Sequence, residues 1–214
     1  MSLEYQTNEE EKININYWKE IHKEISEILK NLSGIVIIAH NSIEFPEVID
    51  LINKIKKDKT LNVLYISLIR SYDFMRLALE NKPFQKKNVT FIDCVSGYAF
   101  SDEENLDNCY YSKPPQNLDQ MKEIINFGVK KCNPDIVIID SMSQFINFLG
   151  PTEHEINEFY KFLHSLRTRS LNIIQDTFIL FYDTKVGVMQ NLPKFSINTI
   201  LKVEILKEQL RWKD

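Results

Sequence analysis

The sequence predicts an α/β fold with a mainly parallel central sheet flanked by helices. Three observations lead there. Short apolar runs rich in β-branched residues recur, as in "GIVIIA" (34–39), "NVLYISL" (62–68) and "DIVIID" (135–140). Runs of this kind suit strands covered on both faces, as in a parallel sheet. Segments with apolar residues at helical spacing separate the runs, and parallel neighbours need such crossovers.

Taken in order, "NYWKEIHKEISEILKNL" spaces Trp18, Ile21, Ile25, Ile28 and Leu29 for a helix over 15–31. The strand 34–39 follows, then a helix "PEVIDLINKIKKD" with Pro46 suited to its first turn. "NVLYISL" is a strand and "YDFMRLALEN" a helix, with Asp73 read as one of its first-turn residues. "NVTFIDCV" (88–95) is a strand. A polar loop over 96–116 is long enough to suggest a role or disorder. The helix 117–132, the strand 135–140, the helix 152–170, the strand 177–183 and a last strand over 196–206 complete the pattern.

The 214 residues suffice for one sizeable domain and are too few for two comfortable ones. We expect a flexible acidic tail over 1–12 and a single domain over 13–214. A net charge of −4 gives no overall basic field toward nucleic acid or an anionic membrane. The cysteines Cys94, Cys109 and Cys132 are odd in number and widely spaced, which argues against a disulfide framework or a zinc site. They suit a reducing cytoplasm. The polar start "MSLEYQTNEEEK" does not read as a signal peptide, and no apolar run approaches the roughly 20 residues of a membrane helix.

In a parallel sheet, ligands bind at the carboxyl ends of the strands. The crevice candidates there are His40, Asn41, Ser42, Ser67, Arg70, Asp93, Ser96, Asp140 and Asp183.

Taken together, "NVLYISL", "PDIVIIDSMSQF" and "TFILFYD" resemble successive core strands of RecA-like ATPases of the KaiC type. "NVTFIDCVSG" and "SKPPQNL" are similar to an archaeal group of uncharacterised KaiC-like proteins. The likeness covers about residues 34–206 and implies a three-layer RecA-like P-loop NTPase fold. It also supplies a test. The family's phosphate loop, GxxxxGK followed by Ser or Thr, falls on Ala39, His40, Asn41, Ser42, Ile43, Glu44, Phe45 and Pro46. Such a loop needs glycines for close backbone approach, a lysine on the phosphates and a hydroxyl on magnesium. Here Ala39 and Glu44 replace the glycines, Phe45 the lysine and Pro46 the hydroxyl. Proline also removes an N–H. Glu44 sets a negative charge where a triphosphate would sit, and like charges about 4 Å apart repel by roughly 1 kcal/mol even in water. Where the resemblance implies an acidic pair after the second strand, the chain has Ile69 and Arg70. Asp140 and Ser141 match the Walker B position, where the family's Asp enters the magnesium shell. On the residues alone they also read as a polar strand end.

No catalytic set, metal-ligand set or cofactor site is read elsewhere. His154 and Glu158 share a helix face without the second histidine of a zinc protease pattern. No GxSxG occurs. The basic clusters 54–59, 82–87, 167–169 and 211–213 read as solvated helix ends, with nucleic-acid contact less favoured. Three functions remain open: a pseudo-ATPase that binds another protein, a ligand-binding crevice without a phosphate loop, and a nucleic-acid accessory factor. A homo-oligomer fits any of them.

Overall fold

The computed structural model describes residues 27–41, 43–55, 60–84, 87–98, 108–169, 177–186 and 197–203. After helical residues 27–30, the elements run β1 (Gly34–His40), α1 (Phe45–Lys54), β2 (Leu61–Ser67), α2 (Tyr72–Asn81) and β3 (Lys87–Asp93). A short 3-10 turn (Ser96–Tyr98) precedes β4 (Cys109–Tyr111) and α3 (Leu118–Cys132). Then come β5 (Ile136–Asp140), α4 (Met142–Leu149), α5 (Glu153–Arg169), β6 (Thr177–Asp183) and β7 (Thr199–Val203).

The strands form one sheet in the order β4-β3-β2-β5-β6-β1-β7, and every neighbouring pair is parallel. Side chains alternate across each strand. Val36, Ile38, Val63, Tyr65, Phe91, Ile138 and Phe181 pack on one face against α1 and α2, through Phe45, Val48, Ile49, Ile52, Tyr72 and Met75. Ile35, Ile37, Leu64, Ile66, Ile92, Ile139 and Leu180 pack on the other face with α3, α4 and α5, through Met121, Ile125, Phe145, Phe159 and Leu163. The α/β class with a parallel, helix-flanked sheet is therefore as the sequence predicts.

Two elements depart from the expectation. β4 lies within the span read as a polar loop, and α4 follows the expected strand 135–140 where no helix is read. β4 pairs with β3 from Phe91↔Cys109 to Asp93↔Tyr111. Three residues are too few to show a period, so this strand is fixed by its neighbour. α4 has eight residues and starts directly after Ser141, leaving no loop to mark its beginning. The expected helix 15–31 lies outside the described residues up to 26, as do the tail 1–12 and the basic segment 211–213.

The register lines up the carboxyl ends of the central strands. His40 is level with Asp183, Ser67 with both Asp140 and Asp93, and Asp93 with Tyr111. Position parity puts His40, Tyr65, Ser67, Asp93, Asp140 and Asp183 on the α1–α2 face.

Candidate functional site

Asp140 ends β5 fully buried. One of its carboxylate oxygens accepts from the Tyr65 hydroxyl on β2 and also pairs with the Arg70 guanidinium. Tyr65 and Ile138 are level, so Tyr65 sits beside β5 two residues before Asp140, on the same face. A tyrosine hydroxyl spans that offset. Burial, and next the Asp140 charge, push the Tyr65 phenol well above its ordinary range, so it stays a donor. Arg70 reaches the site because the chain turns sharply after β2. Ser67 Oγ donates to the Arg70 carbonyl at 2.6 Å and accepts the Arg70 N–H at 3.0 Å. Beyond that turn, Ser71 caps α2 by accepting the Phe74 N–H at 3.4 Å.

The other end of the guanidinium crosses to the β1–α1 connection, where Arg70 Nη2 donates to the Ile43 carbonyl at 2.9 Å. The Ile43 N–H donates to His40 Nδ1 at 3.2 Å. His40 is buried, and that burial lowers its pKa, against the opposing pull of Asp183 and Asp140. Arg70 thus ties the end of β5 to the approach to α1.

Glu44 is exposed, and its N–H donates to the Glu47 carboxylate at 2.6 Å. Phe45 turns into the core, edge-on to Tyr65 with ring centroids 5.8 Å apart. Pro46 is exposed in the first turn. Ala39 is buried within β1, and Asn41 is half-buried just after it. Ser42 lies outside the described residues.

The remaining candidates form separate networks. Asp93 is fully buried and satisfied locally: it accepts from the N–H groups of Tyr72, Val95 and Ser96 at 2.7, 2.7 and 2.9 Å, and from Ser96 Oγ at 2.7 Å. This carboxylate shapes its own chain reversal and anchors α2. Ser141 Oγ shares a 2.6 Å bond with Ser143 Oγ, which accepts the Asp183 N–H at 3.2 Å. That pair fastens α4 to β6. Asp183 accepts the Lys185 N–H at 2.8 Å in the turn after β6. Of the predicted crevice residues, Arg70, Asp140 and His40 are joined through Ile43, while Ser67 only shapes the turn. Sequence reasoning missed Tyr65, which reads as a strand residue; its parity with Asp140 is visible only once β2 and β5 are paired.

No protein-family model matches the chain, and no curated protein does. Solved structures do. The flagellar accessory protein FlaH from Methanocaldococcus jannaschii superposes with a TM-score of 0.54 at 11% identity, over 87% of this chain and 79% of that one. The fold is RecA-like. The KaiC-like protein PH0186 from Pyrococcus horikoshii gives a TM-score of 0.47 at 12% identity, over 84% of this chain and 74% of that one. In this RecA-like core, β6 lies between β1 and β5, and the Arg70 side chain bridges the end of β5 and the segment that follows β1. Among the described residues no group of three or more His, Cys, Asp and Glu is placed to hold a metal, and no helix is long and apolar enough to cross a membrane.

Proposed function

We propose that this chain is a catalytically silent RecA/KaiC-like domain that acts by binding another protein. One observation carries the reading: Arg70 occupies Asp140 and the Ile43 carbonyl at once. The carboxylate that the resemblance gives to the magnesium shell is engaged by a cation of the protein itself. An arginine cannot be deprotonated in a protein and holds a carboxylate firmly. The position matching the phosphate-binding lysine is Phe45, packed in the core. The acidic pair that would polarise an attacking water is replaced by Ile69 and Arg70.

The reading of an open ligand crevice has less support, because Arg70 already links Asp140 at the end of β5 to the Ile43 carbonyl after β1. Support for a partner is of a different kind. Phe74 and Leu77, one turn apart on α2, are 54% and 57% exposed, and large apolar side chains left together on a surface mark contact sites. An accessory role, the word used in the name of FlaH, agrees with such a domain.

Phosphate release from ATP with magnesium tests the catalytic half. The expected rate equals the protein-free background, for the native chain and for Arg70→Ala alike, since freeing Asp140 restores neither lysine nor glycines. Turnover by the native chain that Asp140→Asn abolishes would overturn the proposal.

A further inference from the structure

Ile43 is held by both of its backbone groups, its N–H on His40 Nδ1 and its carbonyl on Arg70 Nη2. Its side chain is buried in the core beneath α1. An imidazole that accepts at Nδ1 carries its proton on Nε2, so the neutral ring alone makes this bond. Nε2 is buried with no partner among the described residues, and the same is true of the second Asp140 oxygen, Oδ1. The charged groups facing the ring come from three elements. Asp183 on β6 and Asp140 on β5 favour a second proton, and Arg70 from the β2–α2 turn opposes it. On the remaining side β7 brings the uncharged Val203 level with His40. At the entrance to α1, Glu44 is exposed and Glu47 accepts the Glu44 N–H. No hydrogen bond joins His40 directly to Asp140, whose other oxygen is held by Tyr65 and Arg70.

We propose that His40 is a proton-sensitive latch: neutral, it holds Ile43 against the end of β1; protonated, it releases Ile43 and turns to the carboxylates of Asp183 and Asp140. The step takes one proton from solvent onto Nδ1 and breaks one hydrogen bond. Two N–H groups then face each other, so the Ile43 bond cannot reform while the proton stays. Ile43 keeps its single tie to Arg70, and the approach to α1 loosens. Burial places the event below the ordinary imidazole value of 6.5. The latch goes beyond the silent-domain reading and holds whether or not the chain binds nucleotide.

Amide hydrogen exchange at Ile43, followed by NMR on the full chain, tests it. Corrected for intrinsic exchange, protection should fall at least about tenfold between roughly pH 7.5 and pH 5, a local rather than global opening. In His40→Gln the amide oxygen accepts the same N–H without titrating, so protection should hold at both pH values. A flat native profile, or an equal fall in His40→Gln, overturns the latch. Should His40→Gln not fold, the imidazole nitrogens of the native chain decide. Nδ1 should be unprotonated at neutral pH and titrate together with Ile43 release. A proton on Nδ1 at neutral pH, or midpoints about one pH unit or more apart, overturns the proposal as well.

Discussion

Arg70 and Asp140 are 13% and 0% exposed at their side chains, so neither charge is well solvated and each depends on the other. Breaking a buried pair leaves one charge uncompensated, which costs more than the pair itself contributes. Arg70→Met should therefore destabilise the chain by about 3 kcal/mol, the low end for buried pairs because Tyr65 still donates to Asp140. Adding Asp140→Asn should recover part of that loss, so the double variant costs less than the sum of the singles. Urea midpoints of the four proteins measure it, and additive losses would show that the two side chains are not coupled. His40 gives a second residue-scale expectation. Its folded pKa lies below the ordinary 6.5, so the unfolded chain takes up the proton first as pH falls. Its contribution to stability is complete above 6.5 and is lost as pH drops from there to the folded value. Denaturation curves across that window should weaken in the native chain and weaken less in His40→Gln.

α3 shows how closely the helical layers approach the sheet. A Cβ built on Gly128 would meet Leu64 Cδ2 at 2.5 Å and Ile92 Cδ1 at 2.9 Å, both on the sheet below. Gly128→Ala should thus destabilise by about 1–3 kcal/mol through overpacking, although alanine in a helix interior is intrinsically favoured by roughly 1 kcal/mol over glycine. A urea midpoint at or above the native one would mean that α3 rides farther from β2 and β3. Element by element, the strands were legible where burial on both faces gave unbroken apolar runs, as in β1, β5 and β6. The bounds of α2 and α3 were legible from spacing, while their caps Ser71 and Asn117, which accept from the third residue of each helix, show only in the structure. β4 and α4 were not legible, because one is shorter than a period and the other begins without an intervening loop. The site was half legible. Position along the chain nominated Arg70 and Asp140, but 70 residues separate them, and their pairing exists only once β2 and β5 lie side by side. Nothing local marked Tyr65 as part of it, or Asp93 as the anchor of its own loop rather than a crevice residue.

For the molecule as a whole, the parallel sheet brings the ends of β1, β6, β5 and β2 into one row. In a nucleotide-binding RecA-like core that row holds a phosphate cradle and a magnesium site. Here Arg70 draws the β2–α2 turn, the end of β5 and the entrance to α1 together. On the proposal that the chain is catalytically silent, this row does not take a nucleotide. Isothermal titration of ATP with excess magnesium into the native chain tests it most directly. No binding heat is predicted up to a ligand concentration of about 1 mM, near the −4.1 kcal/mol limit of weak affinity. A saturating isotherm with a Kd of about 1 μM, weakened by Asp140→Asn, would contradict it.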